Sequence, residues 1–446
     1  MRKEGKKFKA VRWIAVACIC ALVLTMVACS GNGSSNTSST GTTDTTTPQT
    51  GTYTQGQPTG AQDAAGVYTA DAWKDAYPNQ YNTYRMGAEI NNSSTRQDMT
   101  VLYPAIKTIW IGSAFSKYYN QPNDHQYALE DVRATGRVND TTAANCLTCK
   151  SPDFTAMYQS EGDTIFAKPF ADVSAQLTEP ISCYNCHENQ PMNSDGTANL
   201  VVTQKFFLDS LGADASKVPL ASQVCGQCHN EYYFAPGTKA VTNPWTSLAN
   251  ATPDAMYDYY KTAGPDGTPF VDYTNPNTGV QQLKVQHPEF EWMYGGKGVT
   301  MTTTNGYTCA DCHMGQPQVA SDGTGYTSHT LQSPLQNTEL LKTCNQGGGC
   351  HTDIASQVQQ WQSDYQAAVK TSGDKLVDLN LKLTDAVANN TLDDATLATI
   401  RDLNRQAQWY YDFIMVENSN GAHNPDLVDA TLSKCDMLTD QALNMF

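Results

Sequence analysis

The sequence predicts a mainly α-helical fold with little β-structure, and three observations predict it. Residues 67–350 are rich in Gly, Pro, Asn and Tyr, with short apolar runs and few strand-like alternations, so loops and short helices dominate there. Beyond His351, apolar residues recur three and four apart: Ile354, Val358, Trp361, Tyr365 and Ala368, then Leu376, Leu379, Leu383 and Val387. That period marks long amphipathic helices, and another is expected from Asp393 to about Glu417. The third observation is a repeated Cys-x-x-Cys-His pattern, which one helical turn can display on a single face.

The chain has 446 residues, 40% hydrophobic and 16% charged, long enough for one large core or two ordinary ones. Its 28 Lys and Arg stand against 44 Asp and Glu, a net charge of −16 that repels phosphate backbones and excludes nucleic acid as a partner.

Residues 1–28 read as a lipoprotein signal peptide. Arg2, Lys3, Lys6, Lys7, Lys9 and Arg12 precede a sixteen-residue apolar run, short for a membrane span, which ends in Met26-Val27-Ala28-Cys29. That ending resembles a lipobox, with cleavage before Cys29 and lipid on its sulfur. The chain is therefore expected to be exported, extracytoplasmic and lipid-anchored to the cell membrane through Cys29. Loss of six cations and Glu4 with the leader takes the charge from −16 to −21. Residues 29–66, almost wholly Ser, Thr, Gly, Asn, Gln and Pro, read as a disordered tether. Residues 67–350 would form the cofactor-binding, catalytic region, and residues 351–446 a long-helix region whose apolar seam is assigned to a dimer contact, although it could pack on its own chain.

Cys183-Tyr184-Asn185-Cys186-His187, Cys225-Gly226-Gln227-Cys228-His229 and Cys309-Ala310-Asp311-Cys312-His313 are three copies of the c-type haem attachment signature. Two thioethers hold the porphyrin edge while the imidazole reaches the iron. Zinc ribbons need no trailing His, and disulfides in an exported protein do not explain one. Two further sites depart from the pattern. Cys344-Asn345-Gln346-Gly347-Gly348-Gly349-Cys350-His351 has five residues between its cysteines, which the glycines can fold into a loop; a strained disulfide or an unattached haem is its alternative. Cys146-Leu147-Thr148-Cys149-Lys150 places a lysine where the ligand belongs. An amine must lose its proton to bind iron, a cost that an electron-transfer haem has no evident use for.

A C-x-x-C-K motif followed by four His-terminated motifs resembles the pentahaem, ammonia-forming cytochrome c nitrite reductases. The likeness runs from about residue 70 to the C-terminus. CGQCHNEYYF over residues 225–234 and KVQHPE over residues 284–289 match that family's segments nearly letter for letter. The resemblance implies a multihaem cytochrome c fold organised around five covalently bound haem c groups and one Ca²⁺. It makes Lys150 the proximal ligand of the catalytic haem, and Arg137, Tyr232 and His287 the residues around bound nitrite, with Arg133 the rival for the arginine. Glu231, the carbonyls of Tyr232 and Lys284, and Gln286 would hold calcium, an all-oxygen set suited to a hard cation.

The resemblance makes His187, His229, His313 and His351 proximal ligands, and His329, His125 and His423 the distal ligands of the second, third and fourth haems. With His287 catalytic, the eight histidines are used up and the fifth haem lacks a distal one. In the family that ligand sits five residues after a tryptophan; here Trp292 is followed at that place by Lys297. Lys297, failing that Met293 or Met301, or an open face, are the readings for that haem. Six electrons and eight protons convert nitrite to ammonium and two waters, with Arg137 and His287 polarising the N–O bonds. The resemblance further implies a homodimer joined through long C-terminal helices and a membrane-bound multihaem quinol dehydrogenase as electron donor. A non-catalytic electron-transfer cytochrome, or a multihaem reductase acting mainly on hydroxylamine or sulfur oxyanions, are the competing classes.

Overall fold

A computed structural model describes residues 51–92, 96–345 and 351–446. The signal peptide, Cys29 and most of the tether lie outside the described residues, as does Cys350. The tether reading to residue 66 is corrected, because the chain from residue 51 onward is docked. Thr52 N donates to the Gly323 carbonyl at 3.0 Å, Gly56 N to the Tyr77 hydroxyl at 2.8 Å and Gln55 Nε2 to the Met192 carbonyl at 3.1 Å. A segment without an apolar stripe is held here by directed hydrogen bonds, which composition does not report.

The body is built from short helices joined by long loops. Those used below are α1 (Pro78–Ile90), α2 (Ala128–Ala134), α3 (Pro152–Glu161), α4 (Tyr184–His187), α5 (Leu220–Gly226), α6 (Glu289–Tyr294) and α7 (Cys309–His313). Among the described residues, strands are confined to three two-residue antiparallel hairpins. These pair β1 (Tyr233–Phe234) with β2 (Val241–Thr242), β3 (Tyr273–Thr274) with β4 (Gln281–Gln282), and β5 (Gln318–Val319) with β6 (Gly325–Tyr326). Tyr233 faces Thr242 and Tyr273 faces Gln282.

Three long helices close the chain: α8 (Ile354–Asn389), α9 (Asp394–Met415) and α10 (Pro425–Leu443). Their ends follow from capping. Asp353 accepts from Ser356 N at 3.1 Å, Asp393 from Thr396 N at 2.8 Å and Asn424 from Leu427 N at 3.1 Å, with Pro425 in the first helical position. Asn390 ends α8 in the left-handed region at φ 50°. Leu376, Leu379 and Leu383 of α8 and Ile400, Trp409 and Phe413 of α9 have no exposed area within this one chain. The seam assigned to a dimer contact is therefore buried against the chain's own helices. Its first turns do something else: Ile354, Val358 and Trp361 line the internal cavity described below. Gly373 permits the close approach, since a Cβ there would stand 2.8 Å from the Tyr411 hydroxyl and 3.0 Å from Ala105. No helix among the described residues is long and apolar enough to cross a membrane.

Helix α9 also positions the loop that precedes α6. The Gln408 side chain accepts from Leu283 N at 3.2 Å and donates to the Leu283 carbonyl at 2.8 Å, acting as one rung of a strand. Arg405 donates to the carbonyls of Gln281 and Phe270, and Trp409 Nε1 to that of Pro253 at 2.8 Å. Residues 284–287 thereby follow a strand rung held by a buried helix.

Candidate functional site

A connected cavity of about 1780 Å³ runs through the body, well beyond the roughly 300–1,000 Å³ of a single small-ligand pocket. Every described motif cysteine lines it, namely Cys146, Cys149, Cys183, Cys186, Cys225, Cys228, Cys309, Cys312 and Cys344, and so do Lys150 and all eight histidines. None of these thiols is in a disulfide.

The histidines face one another across the cavity. Ring centroids lie 6.4 Å apart for His187 and His329, 6.2 Å for His229 and His125, and 6.1 Å for His313 and His423. Two metal–nitrogen bonds of about 2 Å on opposite sides of one ion, with the ring radii added, need a span of about 6 Å. Four of the six rings are also oriented from behind. Nδ1 of His187 meets the Asn199 carbonyl at 2.8 Å, that of His313 the Gln332 carbonyl at 3.1 Å and that of His329 the Thr327 carbonyl at 2.9 Å. His423 Nδ1 meets Glu417 Oε1 at 2.5 Å. Anchoring one ring nitrogen leaves the other free to bind metal, so these residues fit covalently attached haem. His351 Nδ1 meets Gln357 Oε1 at 2.9 Å; Cys344 lines the cavity nearby in sequence, and its partner Cys350 is outside the described residues.

The lysine motif is built differently. A 3-10 turn over Ala144–Leu147 is followed by Cys149 at φ 59°, a left-handed backbone that a non-glycine residue adopts only when its surroundings over-determine it. Gln227, inside the third motif, packs against it. Its carbonyl lies 3.8 Å from Cys149 Sγ, and its buried side chain accepts from Thr203 N at 2.7 Å and Gln204 N at 3.0 Å. Its amide donates to the Asn185 carbonyl of the second motif at 3.0 Å, tying three attachment sites together. Nothing in the sequence marked Gln227, because the x positions of C-x-x-C-H carry no chemistry of their own.

Of the two candidate arginines, Arg133 on α2 is consumed elsewhere. Its guanidinium donates to Ser174 Oγ and the Leu177 carbonyl, both at 2.9 Å, and it does not line the large cavity. Arg137 does line it. Burial pushes the Cys146 thiol up, while Arg137 and Lys150 pull it down, so both cations act on that attachment site. Tyr232 and His287 are half-buried, and the area they expose is cavity wall. Burial pushes the Tyr232 phenol up and the His287 imidazole down to about 3, so at neutral pH one stays protonated and the other uncharged. His287 Nδ1 is buried without a hydrogen-bond partner.

Of the oxygen set assigned to calcium, Glu231 and Gln286 are in contact beside this wall. Glu231 is fully buried; its carboxylate accepts from Gln286 N at 2.6 Å and from the Tyr260 hydroxyl at 3.2 Å, both neutral donors. Burial pushes its carboxyl up. Lys284 N donates to Asp272 Oδ2 at 2.8 Å, and its ammonium stands 4.1 Å from the Phe115 ring centre. No group of three or more His, Cys, Asp or Glu among the described residues has metal-binding geometry.

Lys297 is the site residue that the structure does not bring in. It is exposed and absent from the cavity wall, whereas Met293 and Met301 line it. The reason is the turn: Gly296 N donates to the Leu248 carbonyl at 2.6 Å and Gly298 N to that of Gly295 at 2.9 Å, leaving Lys297 at an outward tip. Lys297→Ala is therefore expected to leave the near-infrared and electron paramagnetic low-spin signals unchanged, and loss of one of them would return the lysine to the fifth haem.

The cytochrome c552 family profile matches residues 69–445. A cytochrome c-552 from Parabacteroides distasonis is 30% identical over 385 residues, covering 81% of this chain and 73% of its own. Among solved structures, the catalytic subunit of cytochrome c nitrite reductase from Desulfovibrio desulfuricans, which has two calcium sites, superposes with a TM-score of 0.72 at 26% identity, covering 84% of this chain and 85% of that one. Helical architecture, haem motifs facing a shared cavity and the near full-length profile agree: this chain belongs to the cytochrome c552 family.

Proposed function

We propose that this chain is a multihaem nitrite reductase that converts nitrite to ammonium at the Lys150 site. The observation that supports this most is the histidine arrangement. Six of the eight rings stand in three facing pairs and His351 ends the fifth motif; His287, 6.4 Å from a His229 ring that already faces His125, is the one ring left over for the Lys150 site. Lysine-ligated haem would supply the open metal position and electrons for nitrite. Arg137 would neutralise the anion and donate to its oxygens; His287, kept uncharged by burial, would donate through one ring nitrogen to oxygen as charge gathers there. The protonated Tyr232 phenol would complete the donor set. Overall, nitrite, six electrons and eight protons give ammonium and two waters.

Five haems and a calcium ion on Glu231, Gln286 and the carbonyls of Tyr232 and Lys284 belong to this proposal, supported by the motif count and by a buried Glu231 bound only to neutral donors. So do export with a lipid on Cys29, a membrane-bound multihaem quinol dehydrogenase as donor, and a homodimer that would have to use surface other than the internal helix seam. Leu381 on α8 and Met437 on α10, 55% and 60% exposed, are apolar side chains available to it. Steady-state turnover with a reduced viologen and isotopically labelled nitrite tests the central reading: labelled ammonium is expected, and a fully haem-loaded protein that leaves nitrite untouched would refute it.

A further inference from the structure

The three facing histidine pairs do not share one kind of backing. His187, His313 and His329 are oriented by backbone carbonyls, which are neutral acceptors. His423 is oriented by a carboxylate: Glu417, whose side chain is fully buried, holds its Nδ1 at 2.5 Å. The other Glu417 oxygen accepts from Ser419 N at 3.0 Å and Ser419 Oγ at 2.6 Å, which fixes the carboxylate on the ring. His229 faces a second buried acid, Glu289, with Oε2 3.7 Å from Nδ1. That oxygen is buried and has no hydrogen-bond partner, while Oε1 accepts from Asn418 N at 3.2 Å and Asn418 Nδ2 at 2.5 Å. Residues 417–419, just beyond the end of α9, therefore pin two acids behind two different rings.

We propose that Glu417 and Glu289 are positioning residues that set the reduction potentials of the fourth and third haems below that of the second. This rests on the reading of His423 and His229 as haem ligands. An anionic acceptor behind a ligand N–H, as Glu417 is, makes the imidazole more electron-donating, and an unpaired carboxylate beside the ring, as Glu289 is, acts through its charge; both favour oxidised iron, whereas a carbonyl does so less. In a buried setting the carboxylate charge is poorly screened, so the difference is not erased by salt. The direction suits the layout, because the third motif touches the lysine motif through Gln227 and Cys149, and a low-potential third haem favours passing its electron on.

The test is redox titration of the full, haem-loaded protein, followed by visible absorbance and electron paramagnetic resonance, with Glu417→Gln and Glu289→Gln beside the wild type. Each variant keeps the side-chain shape and removes the charge. Each is expected to raise one low-spin couple by about 60 mV or more, a tenfold change for a one-electron couple, and a different couple in each case. The couple of the second haem, backed by carbonyls on both sides, stays in place as the internal reference. If one variant fails to load haem, the other carries the same test by itself. A merely structural role predicts a downward shift, because a loosened pocket admits water that stabilises oxidised iron. Unchanged or lowered potentials in a loaded variant overturn the proposal and leave the ligand reading standing. Wild-type protein without bis-imidazole low-spin signals overturns both.

Discussion

His287→Asn is expected to lower kcat for nitrite by roughly 10²–10⁴-fold, the range lost when a positioned proton donor is removed. Asparagine keeps a polar group in the wall but cannot pass a proton and reclaim one near neutral pH. The ring it replaces is uncharged at pH 7, because burial holds its pKa at about 3, so the loss reflects proton transfer through a neutral ring and not a missing positive charge. The low-spin spectrum separates this from ligand loss. His287 lies 6.4 Å from His229, which already faces His125 at 6.2 Å, so the low-spin spectrum should not change. Arg137→Gln, which removes charge from the same wall, is expected to raise KM for the anion as well as lower kcat. If His287→Asn instead abolished a bis-imidazole signal, the ring would be an iron ligand and the catalytic assignment would fall.

Trp409→Ala should destabilise the chain by about 3–5 kcal/mol, the usual cost of removing a fully buried indole. The ring has no exposed area, packs 5.3 Å from Tyr260 and 5.8 Å from Phe413, and spends its N–H on the Pro253 carbonyl. Its loss opens a cavity where α9 meets the loops below it and leaves that carbonyl without its partner. Midpoints of chemical denaturation at equal haem loading are the measurement, since cofactor-bound chains need not unfold in two states. Leu381→Ala, on an exposed position of α8, should cost well under 1 kcal/mol in the same assay. Equal effects of the two would mean that α9 is not the keel of the fold. Residues 284–287 hang from α9 through Gln408, so a destabilised α9 should also blunt turnover before it unfolds the chain.

Local chemistry is what a sequence displays best. The Cys and His of each attachment motif, the lysine at residue 150 and the helical period beyond residue 351 could be read directly, because covalent attachment and amphipathic packing impose fixed spacings on neighbouring residues. The start of α9 was legible to one residue, since Asp393 is its cap and Asp394 its first residue.

What faces what was decided by the fold. Spacing could offer the apolar stripe of α8 to a second copy or to its own chain, and the structure buries most of it internally while its first turns wall the haem cavity. Arg133 and Arg137 are four residues apart and chemically identical; position after His125 favoured Arg137, and the Ser174 hydroxyl and Leu177 carbonyl that capture Arg133 give the physical reason. Lys297 sat at the expected offset from Trp292 but points outward from a glycine turn that backbone hydrogen bonds hold shut. Gln227, Gln408, Glu289 and Glu417 had no motif to announce them. Residue type and spacing thus determined which groups could bind haem, whereas their mutual facing, their backing acids and the choice among equivalent candidates came from long-range hydrogen bonds and burial, which pair residues far apart in the chain and leave no period in it.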